Sequence, residues 1–271
     1  MSTKHYDQHI HSSFSCDAVR GNKIQDILEA AVSKGLAGIA VTDHLDPFWP
    51  DENDPPLDVP AYEAALTETE ILNDGRIHFA KGIELGFIPG KAIDICRKVV
   101  SGFPYDFVIG SVHSSEVIPV DYPPFHEGRA TAEILDEYYT ILLDSIKVYK
   151  DYDVLGHVNY IDRYTDEIPP ASIYMPYVDE ILKLAISDGK GIEINTAPFY
   201  KFKRSDDFGT PNLTILKHFR DLGGEIVTIG SDAHRRDDVG ACIEKGENLL
   251  REAGFRYFAY YRNRRPIFEI L

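Results

Sequence analysis

The sequence predicts an α/β fold in which parallel strands alternate with helices around a barrel. Short apolar runs alternate with amphipathic stretches along the chain, which is typical of repeated strand–helix units. The runs are β-branched and apolar throughout, as expected of strands that are buried on both faces of a parallel sheet. No Ser/Gly-rich linker or low-complexity segment divides the 271 residues, so we interpret residues 1–271 as a single domain.

The predicted strands are short and rich in branched apolar residues, as in Ile39-Ala40-Val41. In chain order, they lie near residues 6–11, 37–43, 77–84, 106–112, 154–158, 191–195 and 225–231. Between them apolar side chains recur with helical spacing, and in the first helix these are Ile24, Ile27, Leu28 and Ala31. Further helices are predicted near residues 60–73, 89–101, 131–150, 175–188, 211–222 and 238–253. Seven strand–helix units of this kind fit a (β/α) barrel.

Composition and charge exclude several classes of protein. The chain has 28 Lys and Arg residues against 44 Asp and Glu residues, a formal charge of −16, so its surface repels nucleic-acid phosphates and anionic membranes. No apolar run approaches the roughly 18 residues that a membrane span requires. The N-terminus lacks the apolar core of a signal peptide, and the three cysteines are far apart. We therefore expect a cytoplasmic protein with reduced thiols that binds neither nucleic acid nor membranes.

Polar side chains that can bind a metal follow each predicted strand. In chain order they are His9 and His11, Asp43 and His44, Glu84, His113, His157, Glu193 and Asn195, and Asp232 and His234. The carboxyl ends of parallel barrel strands meet on one face, so we expect these side chains to lie close together. Buried strands have no structural need for so many imidazoles and carboxylates at one end. A ligand set without thiolate favours Zn, Mn, Fe or Co at a shared site.

The order of these motifs resembles the PHP (polymerase and histidinol phosphatase) family of metal-dependent phosphoesterases. The resemblance spans about residues 5–236. Family-wide features are the His-Ser-x-Phe-Ser segment that begins at His11 and the Gly-Ser-Asp-Ala-His segment that ends at His234. The segments around His113, His157 and Asn195 are more similar to the histidinol-phosphatase branch of the family.

The resemblance implies a distorted (β/α)7 TIM-like barrel that binds three divalent metal ions, with Zn, Mn or Fe as candidates. The implied ligands are His9, His11, Glu84 and Asp232 for the first ion, Glu84, His113 and His157 for the second, and Asp17, His44 and His234 for the third. Some family members have a histidine where this chain has Asp17, but a carboxylate also binds these metals. Asp43 matches no ligand, and we expect it to orient a histidine.

The resemblance also implies an activity, the hydrolysis of L-histidinol phosphate to L-histidinol and phosphate. Two ions that share Glu84 would hold a bridging hydroxide that attacks phosphorus. Glu84, Asp232 and Arg163 are the implied catalytic residues, and Arg163 would bind phosphate through its guanidinium group. Ser12 and Asn195 are candidate substrate contacts. In reserve are Arg20 and Arg204 for phosphate, and Asp46 and Glu127 for the cationic amine or imidazole of the leaving group.

Three other interpretations stay open at this point. One is a PHP phosphoesterase that acts on nucleotides or on another small phosphomonoester, because metal ligands do not determine the leaving group. An amidohydrolase-type enzyme is more distant, since Glu84 stands where such enzymes commonly have a carboxylated lysine. A non-catalytic metal-binding module is disfavoured because all nine candidate ligands are competent to bind metal. The oligomeric state cannot be predicted from this sequence.

Overall fold

The structure, a computed structural model, describes residues 4–47, 56–115, 118–164, 169–201 and 211–271. Arg204 and most of the Pro/Asp-rich loop that follows the second predicted strand lie outside these residues. Within them, the strands are β1 (Tyr6–Ile10), β2 (Gly38–Val41), β3 (His44–Leu45), β4 (His78–Gly86), β5 (Phe107–Ser111), β6 (Val154–Leu155), β7 (Gly191–Asn195), β8 (Val227–Gly230), β9 (Tyr257–Arg262) and β10 (Arg265–Ile270).

The main sheet is a nearly closed parallel barrel. Its hydrogen-bonded path in the described chain runs β1-β2-β4-β5-β6-β7-β8, and β3 continues beside β4 after β2 ends. A parallel bridge between Ile10 and Ala233 links the end of β1 to the segment after β8, and the Asp232 amide donates to the carbonyl oxygen of His9 at 2.8 Å. The predicted (β/α)7 TIM-like barrel is therefore confirmed, with its distortion at β2, β3 and the short β6.

Helices cover the outside of the barrel because each has one apolar face. In α1 the four residues that the sequence pattern placed on one face are all buried. The described helices are α1 (Ile24–Ser33), α2 (Val59–Asn73), α3 (Lys91–Gly102), α4 (Pro123–His126), α5 (Thr131–Val148), α6 (Ala171–Ser187), α7 (Ala197–Tyr200), α8 (Leu213–Asp221) and α9 (Ile243–Ala253). None of them is both long and apolar enough to cross a membrane.

Three boundaries differ from the prediction. β6 ends at Leu155, because the chain turns at His157, which has a φ of 21°. Helix α6 begins at Ala171, before the predicted start near residue 175, and contains Pro176 in its interior. Helix α9 begins only at Ile243, since the preceding residue, Cys242, adopts a left-handed conformation with a φ of 59°.

The antiparallel pair of β9 and β10 was not predicted, and it closes the end of the barrel opposite the polar strand ends. The ring of Tyr261 stacks on Phe107 with centroids 4.9 Å apart, and the Tyr261 amide donates to Gln8 Oε1 at 3.2 Å. Arg264 donates to Asp153 at 2.6 Å, which pairs the hairpin with the start of β6. This hairpin seals the bottom of the barrel, so the opposite face is the one open to a ligand.

Candidate metal centre

Glu84 lies at the centre of the polar face, at the carboxyl end of β4, and it is completely buried. Its Oε2 atom is 3.1 Å from His9 Nε2 and 3.5 Å from His11 Nε2. Its Oε1 atom is 3.0 Å from His157 Nε2 and 3.2 Å from His113 Nε2. Oε2 also lies 3.0 Å from His44 Nδ1. The two carboxylate oxygens therefore face different sets of histidines, as expected of a carboxylate that bridges two metal ions.

A third grouping surrounds Asp17 in the loop after β1. Asp17 Oδ2 is 2.8 Å from His234 Nε2 and 3.7 Å from His44 Nε2. The ring of His11 links this grouping to Glu84, because it stacks on both His44 and His234 with centroids 4.2 Å apart. These groupings correspond to the three ligand sets that the resemblance implies, although the assignment of each ligand to an ion stays a prediction.

Asp232 completes the first of the three sets. The residue follows β8 in a left-handed conformation, with a φ of 57°, and its Oδ1 atom lies 3.5 Å from His11 Nε2. Asn195, at the end of β7, donates to Asp232 Oδ2 at 3.1 Å and accepts a hydrogen bond from Arg163 at 3.0 Å. Asn195 is fully buried, so the structure places it as a residue that orients Asp232 and Arg163.

Glu193 is a buried carboxylate that the sequence analysis counted among the metal-competent strand ends but assigned to no ion and to no supporting role. Its Oε1 atom is 2.6 Å from His9 Nδ1, and its Oε2 atom accepts the amide of His157 at 3.2 Å. A carboxylate on the second nitrogen of an imidazole fixes the tautomer and the ring orientation of a metal ligand. The signal was present in the Glu193-Ile194-Asn195 alternation, which points both polar side chains to the same side of β7.

Asp43 holds the loop after β1. This contact is consistent with the expectation that Asp43 orients a histidine. Its Oδ1 atom accepts the amides of Ser12 and Ser15 at 2.8 and 2.9 Å, and Ser15 Oγ lies 3.0 Å from His11 Nδ1. Asp43 therefore orients His11 through Ser15. Ser12 is itself buried and donates its hydroxyl to Asp43 Oδ2 at 2.7 Å. The structure thus places Ser12 in the support of the loop and away from the cavity, which does not support a substrate contact.

Electrostatics in the cluster follow from burial and from the alternation of acids with imidazoles. Burial opposes ionisation of Glu84, but His9, His113 and His44 outweigh it and hold the pKa of Glu84 well below its usual range. Burial alone would lower the pKa of His9, but Glu193 and Glu84 raise it well above its ordinary value. The pKa of His11 is lowered by burial and by neighbouring imidazoles. Divalent cations would bind to the same imidazole and carboxylate atoms in competition with protons.

The chemistry of the donor set fits divalent metal ions. The Nε2 atom of His11 is buried and has no hydrogen-bond partner among the described residues, although it points toward two carboxylates. Potential ligand atoms converge within 4.8 Å of one another in three overlapping groups, namely His9-His11-Glu84, His44-Glu84-His113 and His11-His44-His234. Imidazole and carboxylate donors at this density are typical of zinc and related divalent ions.

A cavity of about 430 Å³ opens above the cluster. Arg163 and Lys201 supply positive charge at its floor, where Arg163 donates to Asp232 Oδ2 at 3.3 Å and Lys201 lies 3.1 Å from His234 Nδ1. The guanidinium group of Arg163 also lies over the ring of Tyr160, 4.6 Å from its centroid. Arg20 is exposed and does not line the cavity, so among the described arginines the predicted phosphate contact falls to Arg163.

The sequence profile of the PHP domain matches residues 7–197. The chain belongs to the PHP family. The match covers most of the barrel. The matched segment contains Glu84 together with six of the other eight predicted ligands. The remaining two, Asp232 and His234, lie beyond the match and reach the same site through β8.

Similar PHP-type proteins include named histidinol-phosphatases. The chain is 30% identical over 262 residues to a histidinol-phosphatase of Lactococcus lactis subsp. lactis (strain IL1403), covering 95% of this chain and 94% of the relative. It is 28% identical over 239 residues to a probable histidinol-phosphatase of Clostridium acetobutylicum, covering 87% of this chain and 88% of the relative. A solved histidinol phosphate phosphatase of Lactococcus lactis, complexed with zinc, L-histidinol and phosphate, superposes with a TM-score of 0.86 at 28% identity, covering 98% of this chain and all of that one.

Proposed function

We propose that this PHP-family chain is a metal-dependent phosphomonoesterase that hydrolyses L-histidinol phosphate to L-histidinol and inorganic phosphate. The observation that carries the proposal is the arrangement around the Glu84 carboxylate. Its Oε2 atom faces His9, His11 and His44, and its Oε1 atom faces His113 and His157. The chain shares its fold over nearly its whole length with a relative complexed with zinc, L-histidinol and phosphate.

The proposal includes three divalent ions, with zinc, manganese or iron as candidates. The first ion would be bound by the His9, His11, Glu84 and Asp232 set, the second by Glu84, His113 and His157, and the third by Asp17, His44 and His234. Bound divalent ions lower the pKa of water and offset negative charge on phosphate oxygens. Glu193 and Ser15 hold His9 and His11 in the orientation that this requires.

Arg163 is the residue that we assign to the phosphate group. Its side chain is only 7% exposed, and Asn195, Asp232 and the Tyr160 ring hold it at the cavity floor. A planar guanidinium group that is held in this way can donate two parallel hydrogen bonds to phosphate oxygens. Lys201 lies on the same side of the cavity and adds a second positive charge.

The test is phosphate release from L-histidinol phosphate, measured beside AMP and an aryl phosphate with zinc or manganese supplied. We expect a strong preference for L-histidinol phosphate and loss of activity on chelation. The matched pair of variants is Glu84→Gln, which we expect to abolish turnover, and Glu29→Gln on the surface of α1, which we expect to leave it unchanged. Poor turnover of L-histidinol phosphate with good turnover of AMP would show that the proposed substrate is wrong, whereas the proposed metal-dependent phosphomonoesterase activity would stand.

A cytoplasmic location is also part of the proposal. It is supported by Cys16, Cys96 and Cys242, which form no disulfide bond.

A further inference from the structure

Asp121 differs from the other carboxylates that line the cavity. In the described part of the chain these are Asp17, Asp46, Asp121 and Asp232. Three of them contact the cluster: Asp17 reaches His234 at 2.8 Å, Asp46 reaches His113 at 3.0 Å, and Asp232 accepts from Arg163 at 3.3 Å. The Oδ1 atom of Asp121 is buried and has no hydrogen-bond partner among the described residues.

The backbone around Asp121 is fixed with respect to the metal centre. The Val120 amide donates to the carbonyl oxygen of His113 at 2.9 Å, and Ser114 forms an antiparallel bridge with Pro119. The Tyr122 amide then donates to the carbonyl oxygen of Pro119 at 3.2 Å. These contacts fix the backbone on both sides of Asp121 beside the cavity, so the burial of its Oδ1 atom without a donor is a property of the folded chain. Burial raises the pKa of Asp121, as expected when the charged form loses its hydration.

Aromatic side chains line the same cavity as this carboxylate. The hydroxyl groups of Tyr160 and Tyr164 lie 2.8 Å apart, and His126 stacks on Tyr164 with centroids 5.7 Å apart. Tyr160 and Tyr164 line the same cavity as Asp121, and the charge of Asp121 contributes to raising the pKa of both tyrosines. Aromatic faces beside a carboxylate are favourable surroundings for an organic cation.

The cavity is therefore electrically polarised. Arg163, Lys201 and the metal-binding face attract the negative phosphate, whereas Asp121 and the tyrosine rings offer a negative, partly apolar region. A phosphomonoester whose alcohol carries a protonated amine has the matching distribution of charge. A neutral or anionic leaving group would leave Asp121 desolvated without a partner, at a cost that disfavours its binding.

We propose that Asp121 binds the ammonium group of the leaving amino alcohol and sets the preference for a cationic leaving group. This inference rests on the proposed function and adds a specificity-determining residue to it. Glu127, which the sequence offered for this role, is exposed on the same loop and does not line the cavity. Asp46, the other candidate, contacts His113 and His44, which are predicted metal ligands.

The experiment compares wild type and Asp121→Asn on two substrates, L-histidinol phosphate and its analogue without the amine, 3-(imidazol-4-yl)propyl phosphate. We expect the variant to lower kcat/KM for L-histidinol phosphate about 10- to 100-fold, the range for losing a charge-assisted hydrogen bond. For the analogue we expect a change of less than about two-fold. Calorimetric titration with L-histidinol should show weaker binding to the variant, whereas inorganic phosphate should bind equally to both proteins.

Glu127→Gln is the matched control, because it neutralises a carboxylate on the same loop outside the cavity, and it should behave as wild type with both substrates. Equal losses on the two substrates, or no loss on either, would overturn the role of Asp121 while the proposed function stands. If the wild type does not hydrolyse L-histidinol phosphate and instead prefers AMP or an aryl phosphate, both the proposed function and this inference fail.

Discussion

Two buried carboxylates, Glu193 and Asp43, orient the predicted metal ligands His9 and His11, although neither carboxylate is itself a predicted ligand. Glu193 contacts the Nδ1 atom of His9, and Asp43 holds Ser15 against the Nδ1 atom of His11. In both cases the second ring nitrogen, Nε2, is left for the metal-binding face. Because a histidine ligand needs its free lone pair pointed at the ion, these contacts set metal affinity without touching the ion.

Glu193→Gln tests this arrangement. We expect zinc affinity to fall about 10- to 100-fold, because the amide cannot provide the charged acceptor for His9 Nδ1. Competition with a chromophoric chelator measures the affinity, and excess zinc should restore part of kcat. The control is Glu225→Gln, which changes an exposed carboxylate just before β8. Unchanged zinc affinity in Glu193→Gln would show that His9 does not depend on this contact.

At the scale of elements, the order of strands and helices could be predicted from periodicity, and so could the meeting of polar strand ends on one face. The predicted ligands meet because parallel strands run in the same direction and end on the same face. The hydrophobic pattern of a single sequence is enough to predict such parallel strands. The partners of buried polar groups could not be predicted in the same way. The roles of Glu193 and Asp121 depend on side chains that are far away in the sequence. The local sequence pattern does not show which distant side chains lie near them.

The C-terminal hairpin and the short β6 escaped prediction for a related reason. Tyr261 packs on Phe107, and Arg264 pairs with Asp153, so β9 and β10 are stabilised by the barrel that they close. Strand β6 ends early because the chain adopts a positive φ at His157. This turn places the His157 side chain beside Glu84 and does not continue the sheet. Tertiary contacts of this kind override local propensity.

The end of β8 tolerates no side chain at Gly230. A Cβ atom there would overlap His9 Cβ and Glu193 Oε1, both of which are held by the cluster. We expect Gly230→Ala to lower the free energy of unfolding by about 1–3 kcal/mol, the usual cost of overpacking, as measured by urea denaturation. Gly102→Ala is the control, because open space surrounds that position at the end of α3. Equal stability of the two variants would mean that β1 and β8 can separate without cost.

For the whole molecule, we expect metal binding at the cluster to raise the free energy of unfolding of this acidic chain. The chain carries a formal charge of −16, and the buried cluster brings carboxylates and imidazoles within hydrogen-bond distance of one another. Divalent ions that bind the folded form alone shift the unfolding equilibrium toward that form.

We therefore expect zinc to raise Tm and a chelator to reverse the rise. At a free zinc concentration 100 times Kd, binding to one site stabilises the fold by about 2.7 kcal/mol. Differential scanning calorimetry of wild type and Glu84→Gln measures the effect, and the variant should show a smaller shift. A Tm that is independent of zinc in the wild type would contradict metal binding by the folded barrel.

Closure of the barrel also governs when the site can form during synthesis. Asp7 on β1 accepts hydrogen bonds from Ser231, which lies 224 positions later in the chain. At ordinary rates of translation, the ribosome adds those residues over a time on the order of tens of seconds. His9 and His11 thus emerge long before Asp232 and His234, and a nascent chain can present only part of the cluster. Binding of divalent metal by the complete cluster is consequently a late event, and it marks a chain whose barrel has closed.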